Sequence, residues 1–421
     1  VARIALDITS LGRRGEGIAR GPAGSIFVPY ALPGELVEAD VNGAQATLVA
    51  LQQASPERVS PPCPHYGDCG GCALQHLADA PYEQWKRSLV ISQLTNVGLS
   101  PLVQPLFAAH GRGRRRVTFH VRRPTEGKAS VGFMGFDSHR LVEIGHCLVC
   151  APELGQALPA ARALASVLIG GTASFDIHFT ATASGLDCDV RGLSRDQEPS
   201  HADIAAISSR FGLIRLSING IPAVTLGQPL IDCAGAKIIL PPSPFLQATE
   251  LGETTLLNFI RAHVGSAKRA ADLFCGVGTF TFHLARQLPV LAVDRNSAAI
   301  DVLMHAARHT QRLKSVRATV RDLFRQPLTA HELDDLDFVV FDPPRQGAEA
   351  QSKELAQSRI PSIVAISCNP STFARDAAIL VGGGYELKEV LPIDQFRWSA
   401  HVEIAAFFTR GSKRGQLTLK H

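Results

Sequence analysis

Ala270-Ala-Asp-Leu-Phe-Cys-Gly-Val-Gly-Thr279 decides the fold: a short apolar run enters a Gly-x-Gly turn, and Phe280-Thr-Phe-His-Leu-Ala-Arg-Gln287 reads as the helix that follows. Gly276 and Gly278 let the backbone approach a ligand closely. Val290-Leu-Ala-Val-Asp294 then ends a second strand in an acid, the place from which a carboxylate accepts two ribose hydroxyls. A third acid, Asp322 in Val320-Arg-Asp-Leu-Phe324, is placed to lie beside an adenine. A nicotinamide dinucleotide favours Gly-x-Gly-x-x-Gly, whereas Thr281 holds the third position here, so S-adenosylmethionine is the better fit.

The alternation of apolar strands and helices continues from this motif to the carboxyl-terminal region. Asp337-Phe-Val-Val-Phe341 delivers Asp342-Pro-Pro-Arg345, and Ile363-Val-Ala-Ile-Ser367 delivers Cys368. The pattern predicts a parallel, doubly wound, Rossmann-like sheet over residues 236–421, with ligands bound outside the carboxyl ends of its strands. Asn369-Pro-Ser-Thr372 reads as a helix start. Cys368 is therefore expected to be a nucleophile whose thiolate is favoured by the positive helix end. Its bland alternative is a small apolar filler. In the last strand, His401-Val-Glu-Ile-Ala-Ala-Phe-Phe408, Glu403 stands in apolar company, where partial burial raises its pKa and suits it to proton transfer.

Upstream, residues 1–54 hold short β-like runs, Ile4–Ile8, Ser25–Pro29 and Leu36–Val41, separated by glycine-rich turns. They predict a small β-barrel, and Arg13, Arg14 and Arg20 lie in or near its first connection. Residues 55–235 form the central part, with strands expected at Val117–Val121, Ser130–Met134, Phe175–Thr180 and Ile214–Ile218 and a helix near 152–168. This part opens with Cys63-Pro-His-Tyr-Gly-Asp-Cys69-Gly-Gly-Cys72, three thiols on a loop that two glycines allow to wrap tightly. Cys147 and Cys150 are the candidates for a fourth ligand, and four thiolates suit either structural zinc or an iron-sulfur cluster.

Composition limits the rest. The 421 residues are 45% apolar and 19% charged, which is the make-up of a globular chain of two or three domains. No apolar run is long enough to cross a bilayer, and Val1–Asp7 lacks the apolar core of a secretory signal, so the expectation is a cytoplasmic protein without a membrane partner. Nine cysteines, unevenly clustered, argue for metal or catalytic roles over a disulfide framework. A net charge of +4 is mild, so nucleic-acid affinity has to come from local clusters such as Arg112-Gly-Arg-Arg-Arg116, Arg122 and Arg123. Lys413, Arg414 and Lys420 read as a solvated tail.

Together, Cys63-x5-Cys69-Gly-Gly-Cys72, Asp272-Leu-Phe-Cys-Gly-Val-Gly278, Asp342-Pro-Pro-Arg345, Ser367-Cys-Asn-Pro370 and His401-Val-Glu403 resemble the bacterial RNA uracil-5-methyltransferases that use S-adenosylmethionine. The resemblance spans nearly the whole chain and is strongest to the ribosomal-RNA branch. It implies a multidomain α/β protein: a TRAM-like (OB-like) barrel, a β-rich RNA-binding domain with a 4Fe-4S cluster, and a methyltransferase domain. It implies that Cys63, Cys69, Cys72 and Cys147 ligate the cluster, leaving Cys150 as an extra thiol. It further implies cofactor contacts at Gln247, Asp272, Phe274, Gly276, Gly278, Thr279, Asp294, Asp322 and Asp342. Thr249 departs from the pattern, which commonly has Asn there, and Asp322 stands where some relatives have Asn.

The chemistry expected is transfer of a methyl group to C5 of a specific uridine, in 23S rRNA or alternatively in tRNA. Cys368 adds to C6 so that C5 becomes nucleophilic, and Glu403 then removes the C5 proton. The target base has to leave its stack to reach such a crevice. The cluster is expected to fold the RNA-binding part without acting in catalysis, and the protein to be a monomer. Two rival readings are an amino-group RNA methyltransferase without covalent catalysis and a non-catalytic RNA-binding protein.

Overall fold

The computed structural model describes residues 2–21, 24–123, 129–168, 174–194 and 199–410. The expected tail residues Lys413, Arg414 and Lys420 lie outside them. Five strands, Ala2–Leu11, Gly17–Gly21, Gly24–Val28, Leu36–Asn42 and Gln45–Gln53, form a closed barrel in which the last two exchange places in the strand order. Alternation decides what it encloses: Val37 and Ala39 point inward with Leu6, Ile8, Ala19, Ile26 and Val28, while their neighbours face water. Buried Glu35 ties the barrel to the next segment, since Arg58 donates to both of its oxygens and the amides of Leu32 and Ser55 donate as well.

The central sheet has seven strands, among them Arg116–Arg122, Ser130–Met134, Ser174–Thr182 and Leu213–Ile218 where the sequence predicts strands. Val117, Phe119 and Val121 face the helix Ala157–Leu168 and the cluster behind it, while Thr118 and His120 face the other side. A second helix, His201–Phe211, has no counterpart in the sequence expectations. The Ser200 side chain caps its start, and Gly212, at φ 67°, closes it in the left-handed conformation.

The carboxyl-terminal sheet has eight strands. Five are parallel: Val316–Val320, Val290–Asp294, Ala270–Leu273, Phe338–Phe341 and Ser362–Ser367. All four residues of Phe338–Phe341 are buried, as expected for a strand covered on both faces. The sequence pattern predicts a parallel sheet, and the structure corrects this for its last two long strands. Glu403–Arg410 pairs antiparallel with Ser362–Ser367, and Tyr385–Asp394 pairs antiparallel with Glu403–Arg410. This reversal turns the last strand's first residue, Glu403, toward the carboxyl ends of the parallel strands.

Within the stretch 55–235, residues 79–108 pack on this carboxyl-terminal sheet and not on the central one. The helix Asp79–Asn96 buries Val90 and Leu94 in its core, and Phe107–Ala108 pairs with Tyr385–Asp394. Lys86, fully buried on that helix, pairs with Asp394, which also accepts from the Tyr82 hydroxyl at 2.8 Å and the Phe396 amide at 2.9 Å. The Lys86 ammonium further donates to the Phe396 carbonyl at 3.0 Å. Residues 395–402, which lead into Glu403, are thereby anchored to the helix.

Candidate active site and cysteine pocket

Strand register assembles the site. Ser367 pairs with Ile404, so one step further along the antiparallel ladder Cys368 stands across from Glu403. Phe341 pairs with both Leu273 and Ala365, which puts Phe274 and Asp342 at the same sheet edge. A cavity of about 570 Å³ opens there, lined by Gln247, Phe274, Gly276, Asp294, Asp342, Cys368 and Glu403. Asp294 accepts from the Gly276 amide at 2.9 Å and from the Asn296 amide at 2.8 Å, which holds the glycine turn against the second strand. Gly278, at φ 96°, has no room for a side chain, because a Cβ would come within 2.8 Å of Leu303.

Four residues expected at the cofactor, Asp272, Gly278, Thr279 and Asp322, do not line this cavity. Asp272 is fully buried inside its strand and accepts from the Thr281 hydroxyl at 2.6 Å; its other oxygen has no partner. Burial pushes its pKa up to about 7. Thr279 opens the helix Thr279–Ala285 behind the turn. Asp322 lies past the end of its strand and accepts from the Phe324 amide at 3.0 Å, shaping the loop that carries Arg321, Leu323 and Phe324 to the cavity wall.

A chain of amides that the sequence does not reveal braces the carboxylates. Gln247 Nε2 donates to Asp342 at 2.7 Å, Gln395 Nε2 donates to Gln247 Oε1 at 3.0 Å, and the Thr249 amide donates to Gln395 Oε1 at 3.2 Å. Gln395 belongs to no motif, and only the three-dimensional path of residues 395–402 brings it here. Thr249 itself is a helix cap: its hydroxyl accepts from the Gly252 amide at 3.0 Å and donates to the Ala109 carbonyl at 2.6 Å.

Burial, then the charges of Glu403 and Asp342, push the Cys368 thiol up to about 12, and Arg345 works against them. This corrects the expectation that the helix end lowers it. The helix Pro370–Gly382 does start as expected, capped by Asn369, but desolvation and two carboxylates outweigh a helix end. Burial and the nearby Asp342 likewise hold Glu403 well above the ordinary carboxylate range. Asp342 is pushed up to about 7 by burial, opposed by its hydrogen bond from Gln247.

Cys368 also lines a second cavity, of about 830 Å³. Arg13 and Arg14 from the barrel, Gly70 and Gly71 from the cysteine loop, Arg345 and His401 border it. The barrel is fastened at this mouth, where the Arg13 guanidinium donates to Ser371 Oγ at 2.6 Å. Cys368 thus borders both the acid-bearing cleft and this opening, and arginines edge the two. Not all of the basic run is open to a ligand. Arg115 pairs with Glu253 and donates to the Gln247 carbonyl at 2.9 Å, and Arg112 pairs with Glu153 at 2.7 Å.

Cys63, Cys69, Cys72, Cys147 and Cys150 all line one further cavity, of about 340 Å³, between the cysteine loop and the central sheet. The Cys150 thiol donates to Cys147, which lowers Cys147 to about 6 and raises Cys150. Burial pushes Cys72 up to about 11. Among the described residues, no three His, Cys, Asp or Glu side chains are gathered as a single metal ion requires. The donor set nevertheless suits a bulky thiophilic centre, because the thiols surround a cavity instead of filling it with apolar atoms. Cys188, Cys233 and Cys275 are buried in the cores as small apolar side chains.

The chain is similar to known RNA methyltransferases. A family model described as tRNA (uracil-5-)-methyltransferase matches residues 245–411. An RNA methyltransferase of Rhizobium meliloti is 45% identical over 407 residues, covering 95% of this chain and 98% of that protein. The 23S rRNA (uracil(1939)-C(5))-methyltransferase RlmD of Chromohalobacter salexigens is 33% identical over 435 residues, covering 98% of this chain and 90% of its own. The Pyrococcus abyssi tRNA (uracil-54, C5)-methyltransferase, solved with S-adenosyl-L-homocysteine, has the same fold, with a TM-score of 0.70 at 21% identity over 96% of this chain and 99% of that one.

Proposed function

The chain belongs to the S-adenosylmethionine-dependent RNA uracil-5-methyltransferases, and from that premise we propose that it methylates a uridine of 23S rRNA through a covalent bond from Cys368 to C6 of the base. The observation that carries this reading is the position of Cys368 in the wall shared by two cavities, across the strand ladder from Glu403.

The cleft with Gln247, Phe274, Gly276, Asp294 and Asp342 would hold S-adenosylmethionine, which supplies an electrophilic methyl group that C5 attacks as the sulfonium bond breaks. The arginine-edged cavity would receive the extruded uridine. Cys368 Sγ bonds to C6, and the electron pair of the C5–C6 double bond moves onto the ring as an enolate, which makes C5 a nucleophile. After C5 has gained its methyl, Glu403 takes the C5 proton, the double bond re-forms and the thiolate leaves. Gln247 and Gln395 hold the Asp342 carboxylate in one orientation, so that the reacting groups meet in line. A positive charge entering the cleft favours the ionised forms of Asp342, Glu403 and Cys368 together, which readies base and nucleophile only when the cofactor is present.

In the same reading Cys63, Cys69, Cys72 and Cys147 hold a 4Fe-4S cluster that braces the barrel-side RNA surface and takes no part in the methyl chemistry. The size of the thiol-lined cavity supports a cluster over a single ion. The barrel is TRAM-like, the stretch 55–235 apart from residues 79–108 serves RNA binding, and the protein works as a cytoplasmic monomer where its RNA is. A ribosomal substrate is favoured because the 23S rRNA relative is 33% identical over 98% of the chain, whereas the tRNA enzyme that covers 96% of it is 21% identical. Mass mapping of 5-methyluridine in RNA from cells lacking this chain is the test. Loss of one such residue from 23S rRNA is expected, and loss from tRNA with intact 23S rRNA would overturn the assignment.

A further inference from the structure

The 340 Å³ cavity is lined by five thiols, one more than a four-iron cluster needs. Three come from one loop. The other two, Cys147 and Cys150, come from one tight turn in which the Cys150 amide donates to the Cys147 carbonyl at 3.3 Å. That turn is firmly seated. The Arg114 amide donates to the Val149 carbonyl at 2.8 Å, and the Ala151 amide donates to the Arg114 carbonyl at 2.9 Å. A Cβ on Gly113 would come within 2.7 Å of the backbone at Cys150 and Ala151, so the strand start lies directly against the turn. Both side chains line the same cavity.

We propose that Cys150 is an alternate fourth ligand, interchangeable with Cys147, so that the turn offers the cluster two thiols for one coordination position. The inference rests on the cluster reading above. Exchange breaks one iron–sulfur bond to Cys147 and forms one to Cys150, while a proton passes from the Cys150 thiol to the Cys147 sulfur. No oxidant or reductant is required. Both thiols border one cavity from one hydrogen-bonded turn, so the exchange asks for side-chain rotation and no rearrangement of the cysteine loop.

The test compares anaerobically purified wild type, C150A, C147S and C147S/C150S by iron and acid-labile sulfide content and by visible spectrum. Calorimetry with S-adenosylmethionine serves as a folding control. C150A is expected to hold as much iron as wild type, C147S the greater part of it, and the double variant only background. In C147S, Cys150 should resist iodoacetamide until the iron is chelated. Equally low iron in C147S and C147S/C150S, or a freely alkylated Cys150 in iron-loaded C147S, would overturn the alternate-ligand inference and leave the cluster reading intact. An iron-free wild type would instead overturn the cluster reading, and this inference with it.

Discussion

Substituting Asp272→Asn separates a structural carboxylate from a cofactor ligand. Burial pushes this carboxyl group from 3.8 up to about 7, while the unfolded chain titrates it near ~3.9. Over that interval the folded protein keeps a proton that the unfolded chain has released. The stability this proton confers is fully present below the lower value and is lost as pH rises through the upper one. Each pH unit of the interval corresponds to about 1.4 kcal/mol, so the whole span is roughly 4 kcal/mol, and roughly 3 kcal/mol of it falls between about pH 5 and pH 7. Asn does not ionise and is spared this loss. Its own fixed cost, about 1–3 kcal/mol for amide hydrogens left without an acceptor, is the same at every pH. Between about pH 5 and pH 8 the stability of D272N should therefore improve relative to wild type by roughly 3 kcal/mol. In a cooperative unit of 150–250 residues that is about 6–12 °C in Tm. Thermal melts of both proteins across this range measure it, with calorimetry of S-adenosylmethionine binding at each pH. Melting curves that differ by the same amount at every pH would refute the reasoning. So would cofactor affinity falling about tenfold or more, which marks a ligand and not a buried support.

Glu403→Gln removes the base for the C5 proton. Turnover should fall by about 10²- to 10⁴-fold while the methylated protein–RNA adduct accumulates, visible as a retarded band on a denaturing gel with ordinary RNA and cofactor. Free methylated product at the wild-type rate would exclude the role. Lys86→Met leaves Asp394 buried with only the Tyr82 hydroxyl and the Phe396 amide as donors. Breaking a buried pair costs about 3–5 kcal/mol, so Tm should drop markedly, and kcat with it, because residues 395–402 carry Gln395 toward Gln247 and lead into Glu403. An unchanged Tm would show that the pair contributes no stability.

The strands of the carboxyl-terminal sheet are legible in the sequence because a strand buried on both faces must be apolar throughout, as in Phe338–Phe341. Cys368, Asp342 and Glu403 are legible for the same reason, as polar residues where such runs begin or end. Their mutual placement is not. It depends on an antiparallel strand whose register with Ser362–Ser367 no local pattern encodes. The sign of the Cys368 perturbation is hidden as well, since the carboxylates that oppose a thiolate come from distant segments. The helix Asp79–Asn96 escapes a periodicity reading because a lysine, Lys86, occupies one of its core positions. Its partner Asp394 is more than three hundred residues away. Gln395 carries no signal at all, being a single amide outside any motif. The cysteine loop is the opposite case, since spacing alone brings Cys63, Cys69 and Cys72 to one cavity, while the fold decides that Cys147 and Cys150 both join them.

The central claim is a transient bond between Cys368 and the uracil ring. A substrate RNA carrying 5-fluorouridine at the target position blocks the final proton removal, so incubation with S-adenosylmethionine should leave wild-type protein covalently joined to RNA. Peptide mass mapping should place the bond at Cys368, and C368A should form none and turn over no RNA. Methylation of ordinary RNA by C368A at the wild-type rate, or a crosslink at any other residue, would contradict the account.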